Sequence, residues 1–152
     1  MLFALGNQII GIVSEVDVLD GNGNPIRSEL MEPETAEHTV WKQNCLLEVQ
    51  LSAMPGRVED VTATTTTTKQ VAWAFFPADS DSSGITQSNV LRLVETLPSG
   101  VTIADLPDGV TITTMPTGVV VKDYDVRGNG VTEVDKFGVP DYVFCMCEAQ
   151  GG

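Results

Sequence analysis

A chain of 152 residues and 16.3 kDa buries roughly 68–70 % of its unfolded surface, which supports one domain with a real core and leaves no room for two full ones. Its 20 Val, 16 Thr and 7 Ile, with 14 Gly and 8 Pro as punctuation, argue against long helices and coiled coils and for an all-β fold: a small barrel or sandwich of short antiparallel strands with long loops. The formal charge of −13, from 21 Asp and Glu against 8 Lys and Arg, disfavours conventional nucleic-acid binding, because such a field repels phosphates where a basic face would gain by releasing their counterions.

The first residues, Met-Leu-Phe-Ala-Leu-Gly-Asn-Gln, are apolar but carry no preceding basic residue and are broken by Gly6, Asn7 and Gln8. They make a poor signal peptide, and no apolar run nears the roughly 20 residues of a membrane-spanning helix, so synthesis in the cytoplasm and no membrane partner are expected. Residues 9 to 18 alternate, with Glu15 and Asp17 on one face and Ile12, Val16 and Val18 on the other, as a half-buried strand does. Asp20-Gly-Asn-Gly-Asn-Pro25 then makes a hairpin turn. From Glu32 to Asn44 a short helix is predicted, with Pro33 opening it, Glu34 and Glu37 near its positive end, Lys42 near its negative end and Asn44 closing it.

Leu47, Val49 and Leu51 mark the next strand, and Val71, Trp73 and Phe75 the one after, with Trp73 read as core. Between them, Ser52 to Lys69 holds a Pro-Gly turn, the acidic pair Glu59 and Asp60, and a threonine run. Pro98-Ser-Gly-Val, Pro107-Asp-Gly-Val and Pro116-Thr-Gly-Val recur every nine residues. Each Pro-x-Gly can reverse the chain, so an inserted β-meander of three short strands is expected over residues 95–118, within a single domain of residues 1–152. The last strands are Val119 to Val126 and Asp141 to Glu148, the latter placing Cys145 and Cys147 on one face.

The chemistry-bearing residues form no established constellation. Asp20, Asn22 and Asn24 begin like a calcium loop, but Pro25 and Met31 stand where glycine and glutamate are required. Asp79, Asp81, Ser83 and Gly84 come closer, yet Val90 occupies the glutamate position, so a solvated turn is the preferred reading. His38 and the three cysteines lack zinc-knuckle spacing, so the cysteines read as buried structural thiols. One histidine, no nucleophile elbow and no phosphate loop give no catalytic residue, no metal and no cofactor to expect. A structural or interaction protein remains, with Trp41 and Phe76 as candidate interface anchors.

The stretch Tyr124-Asp-Val-Arg-Gly followed by Phe137-Gly-Val-Pro-Asp-Tyr-Val-Phe-Cys-Met-Cys-Glu-Ala-Gln-Gly-Gly resembles the ending of head-to-tail stopper (head-closure) proteins of long-tailed bacteriophages. The hairpin with its Gly-Asn-Pro turn, the strand from Cys45 to Leu51 leading to Pro55 and Glu59-Asp60, and Val71 to Pro77 followed by Asp79 and Asp81 occur in the order that family shows. The resemblance spans most of the chain except roughly residues 95 to 118. It implies a small β-barrel assembling as a hexameric or dodecameric ring in the virion neck, with portal and adaptor proteins above and a tail terminator or tail tube below. Packaged double-stranded DNA would be retained and later passed without specific binding. The candidate channel-facing carboxylates are then Glu32, Glu34 and Glu37 before the third strand, and Glu59 and Asp60 after it. The alternatives are a calcium-dependent β-sandwich binding module, or another virion barrel such as a tail terminator or decoration protein.

Overall fold

The described residues form seven strands: β1 (Gln8–Asp17), β2 (Thr35–Gln50), β3 (Val71–Pro77), β4 (Val90–Thr96), β5 (Val120–Val126), β6 (Val131–Val134) and β7 (Pro140–Ala149). They belong to a computed structural model that describes residues 6–27, 30, 34–50 and 70–150. Every pairing is antiparallel, in the order β3-β2-β1-β4-β5-β7, and β3 returns to β7 from Val71–Glu148 to Pro77–Tyr142, closing a six-stranded barrel. β5 takes Cys147–Ala149 of the remaining edge of β7, and β6 takes the stretch from Pro140 to Phe144. Closure removes the free edges that short β-rich sequences must otherwise protect. The all-β barrel expected from composition is what forms. Among the described residues, no helix is long and apolar enough to cross a membrane.

Side chains fill the barrel. Phe76 and Tyr124 are the largest groups sealed inside, and the strands around them contribute small ones: Ala72 and Ala74 from β3, Cys145 and Cys147 from β7. A narrow barrel accepts large residues only where its neighbours are small. Its interior therefore selects the alanine face of β3 and turns the other face outward. Val71, Trp73 and Phe75 are accordingly half-buried on the outside, which corrects the expectation that Trp73 lies in the core. Trp73 packs 5.8 Å from Phe144, and Phe75 packs 6.2 Å from Tyr142, centroid to centroid. Beside the start of β5, the Lys122 ammonium lies 5.6 Å from the centre of the Tyr124 ring and donates to Gln70 Oε1 at 2.7 Å. Cys45, Cys145 and Cys147 are free and buried, as expected; burial pushes each thiol up to about 12, leaving none poised as a thiolate.

Where a helix is predicted over 32–44, residues 35–44 are instead the first part of β2, while 32 and 33 lie outside the described residues. This part of β2 pairs with β1 from Asp17–Thr35 to Ile10–Lys42, because β1 needs a hydrogen-bonded partner that a helix would not supply. Asn44, read as a helix stop, adopts φ 59° at the point where the register slips between Gln8 and Ile10. The left-handed tendency of asparagine is real, but a bulge uses it. Past that bulge, Leu46–Gln50 pairs with β3.

The nine-residue repeats turn the chain as expected, with Gly100, Gly109 and Gly118 at φ 85°, 82° and 91°. The Val101 and Val119 amides donate to Pro98 O and Pro116 O at 3.1 and 3.3 Å. No meander forms: between β4 and β5 the regular structure is a single 3-10 turn, Ile103–Asp105. β3 pairs only Leu46–Gln50 of β2, so the first part of that strand keeps an open edge, but the segment meets it through isolated hydrogen bonds and not a ladder. What the segment finds is the uncovered side of β2, where the Thr39 amide donates to Asp108 O at 3.0 Å and Trp41 Nε1 to Pro107 O at 2.7 Å. The insertion thus lies against the barrel wall, with Leu106 sealed to 2 % exposure and Thr39, at the contact, to 4 %.

Candidate functional site

β1 and β2 outrun the barrel. Past the last β1–β4 rung, Val13–Val90, residues Ser14–Asp17 pair only with Thr35–His38, and Glu15, Val16 and Asp17 turn exposed along with Glu34, Thr35, Ala36 and Glu37. The result is a two-stranded ribbon continued by the turn at Asp20, whose Oδ1 accepts from the Asn22 and Asn24 amides at 2.8 and 3.0 Å. This is the hairpin turn the Asp-Gly-Asn-Gly-Asn-Pro sequence indicates.

The ribbon is acidic: Glu15, Asp17, Asp20, Glu34 and Glu37 all stand on it. Glu15 and Glu37 are direct cross-strand partners, an arrangement that costs stability through like-charge repulsion. At its root, Arg92 grips Asp123 with two hydrogen bonds of 2.8 and 3.0 Å and reaches Glu37 at 3.5 Å. Of the predicted channel-facing residues, Glu34 and Glu37 therefore share one projecting element, Glu34 just before β2 and Glu37 within it, and not a helix. Glu32, Glu59 and Asp60 lie outside the described residues. Glu15 and Asp17 belong with them and were missed as candidates. Their solvent-facing alternation was legible, but reading residues 32–44 as helix removed the partner strand that gathers the charges.

The acidic loop after β3 is occupied by a cation of the chain itself. Lys42 Nζ sits 2.6 Å from Asp79 Oδ2 and 3.1 Å from Asp81 Oδ2. The other oxygen of Asp79 accepts the Asp81 and Ser82 amides at 2.9 and 2.8 Å, and the Ser82 hydroxyl donates to Pro77 O at 2.8 Å. Burial is the largest single influence and opposes both charges, yet the hydrogen bonds and opposite charges of the cluster together outweigh it: Asp79 and Asp81 raise the Lys42 pKa, and Lys42 with the Ser82 and Asp81 amides lowers that of Asp79. Calcium wants six to eight oxygens and a clear position among them; here an ammonium holds that position. Among the described residues, no group of three His, Cys, Asp or Glu is placed to hold a metal ion.

This arrangement sets an expected result. Lys42→Met should lower stability by about 1 kcal/mol, the scale of partly exposed ion pairs. Because the Asp79 pKa is depressed from 3.8, the pair contributes above the ordinary carboxylate range and its contribution is lost as pH falls through the lowered value. Urea melts of both proteins should therefore converge on acidification. Millimolar calcium should leave the wild-type Tm in place; a rise of more than about 2 °C would show a ligand bound by the native state.

The two predicted interface anchors are used within the chain. Trp41 is half-buried, lies across Gly11, where an added Cβ would meet its ring at 2.9 Å, and is tied to the insertion through its indole N–H. Phe76 is wholly inside the barrel; its aromatic bulk serves the core, so it is not available as a surface anchor. No protein-family model matches the chain, and neither a curated protein nor a solved structure is found that is similar to it.

Proposed function

We propose that the chain is a structural subunit of a tailed-phage neck, a head-to-tail stopper whose copies form a ring between portal and adaptor on one side and tail tube on the other, retaining packaged DNA and then letting it pass. The observation that carries this reading is the acidic ribbon standing out from a filled barrel. A barrel packed with Phe76 and Tyr124 has no bore for a duplex, so any passage is bounded by several copies. A ring repeats each projecting carboxylate once per subunit, and Glu15, Asp17, Glu34 and Glu37 become a negative collar. Such a collar repels phosphates and lets DNA slide, where a cationic lining would hold it with a salt-dependent grip. The function requires no catalytic residue and no cofactor. The alternative of a calcium-dependent module is disfavoured by Lys42 between Asp79 and Asp81.

The test is DNA exit from particles carrying Glu15→Lys, Asp17→Lys and Glu34→Lys together. The variant should assemble and release DNA more slowly, most of all at low salt, since each cation that meets a phosphate adds about 0.9 to the logarithmic salt slope. Particles that assemble normally and eject at the wild-type rate across low and high salt would overturn the proposal.

A further inference from the structure

Exposed apolar side chains gather on one projection. The hairpin of β6 and β7 carries Val131, Val134, Phe137 and Val139, exposed at 48, 55, 79 and 53 %. Its turn is rigid: Asp135 Oδ1 accepts the Phe137 and Val139 amides at 2.8 and 3.0 Å, and Asp135 N donates to Val139 O at 2.8 Å. Lys136 Nζ stands 5.1 Å from the centre of the Phe137 ring. A cation and an aromatic ring are thus held together at the tip of a preorganised arm, with no barrel contact shielding the ring. A large apolar group kept this exposed on a stiff support marks an interaction site.

A complementary recess exists at the other end of the same barrel. Above Ile10–Leu93 the rungs between β1 and β4 stop, beside a groove of about 420 Å³ lined by Ile9, Leu93, Val94 and Leu97 together with the polar Asn7, Gln8 and Glu95. That volume is at the small end of the range for ligand-sized clefts. The strand directions place the two features apart. The groove lies at the end where β1 begins and β4 finishes, whereas the hairpin tip lies where β7 begins, beside the end of β3. In the closed order, the β1–β4 seam is also across the barrel from the β3–β7 seam. One copy cannot fold its own arm into its own groove.

We propose that the Phe137 tip inserts into the β1–β4 groove of a second copy of this chain, with Lys136 meeting Glu95, so that copies associate head to tail. The ring meets the aliphatic part of a mixed groove, Ile9, Leu93, Val94 and Leu97, and the cation meets an anion, on a chain otherwise so acidic that copies repel. Two different surfaces meet, so the contact is heterologous and repeats from copy to copy, closing into a ring when the rotation permits. The inference rests on the ring of the proposed function and specifies its joint; the contact itself is independent of what the ring encloses.

Cross-linking the purified full chain tests it, since the three native thiols are buried and will not compete. Phe137→Cys and Leu97→Cys proteins, mixed under mild oxidation at high protein concentration, should form at least about ten times more disulfide dimer than either alone, and a chain carrying both substitutions should give a ladder of oligomers. Lys136→Glu should cut the mixed adduct about tenfold, the equivalent of 1.4 kcal/mol, and Glu95→Lys should restore it. Absence of the mixed adduct, equal yield from Phe137→Cys alone, or a doubly substituted chain that closes only on itself would each overturn the joint. A ladder alongside unaltered DNA exit in the ribbon variant keeps the joint and discards the stopper reading; no ladder with slowed exit does the reverse.

Discussion

Replacing Phe76 with alanine is expected to cost about 3–5 kcal/mol, the range for deleting a fully buried phenyl ring. Phe76 is wholly enclosed, and Ala72, Ala74, Cys145 and Cys147 are among the buried residues of its core cluster. Short side chains cannot swing into the vacated space, so the cavity term adds to the lost transfer energy in full. Against a total stability of about 5–15 kcal/mol for a domain, the variant stands near unfolding at physiological temperature. Urea denaturation should show a much lower midpoint with an unchanged slope. Trp73→Ala is the informative control, since Trp73 is the larger residue yet lies on the half-exposed outer face. If it destabilised more than Phe76→Ala, the assignment of the two faces of β3 would be wrong.

Gly109→Ala should be the second most damaging single change, at about 3 kcal/mol. A Cβ built on Gly109 meets Glu37 O at 2.0 Å, and its φ of 82° already disfavours any L side chain. The conformational part is about 1–2 kcal/mol. The clash with β2 backbone adds more by prising off the hydrogen bonds from Thr39 N and Trp41 Nε1 to the insertion, each worth about 1 kcal/mol net. Gly100→Ala separates the two contributions, because Gly100 has nearly the same φ, 85°, with open space around it; it should lose only about 1 kcal/mol. Detachment would uncover Trp41, giving a red-shifted tryptophan emission in the folded baseline of Gly109→Ala and none in Gly100→Ala. Asp108 should keep the detached turn intact, because its carboxylate accepts from the Val110, Thr111 and Ile112 amides and the Thr111 hydroxyl.

These two positions show where sequence reasoning succeeds and where it stops. At Gly109 the Pro-x-Gly spacing announces a turn, because proline and glycine act on their own backbone; that the turn leans on β2 depends on a residue 72 positions away and leaves no local trace. At Phe76 the alternation of β3 separates two faces, but which face is inside depends on the bore of the barrel, a property of six strands together. The stretch from Pro33 to Asn44 failed for the same reason. Its proline, carboxylates, lysine and asparagine suit a helix locally, while the need of β1 for a partner decides the outcome. β6 was missed because Val131-Thr-Glu-Val is four exposed residues recruited by the spare edge of β7. Of the acidic site, the carboxylates were legible one by one, and their gathering on a ribbon was not.

The double use of β7 has a consequence for how the molecule is made. β7 supplies the rungs that join β3, β5 and β6, and it leaves the ribosome after all of them. Until it arrives, β3 and β5 present unsatisfied backbone to solvent, and the Val71–Glu148 rung must bridge about half of the chain. Pairings of such sequence separation make for high contact order and slow, late closure, on the scale of milliseconds to seconds. The nascent chain is therefore most vulnerable to edge-to-edge aggregation in the interval just before β7 emerges. The strong net negative charge, which keeps unfinished chains apart, protects the protein during its own synthesis as well as shaping the surface of the finished fold.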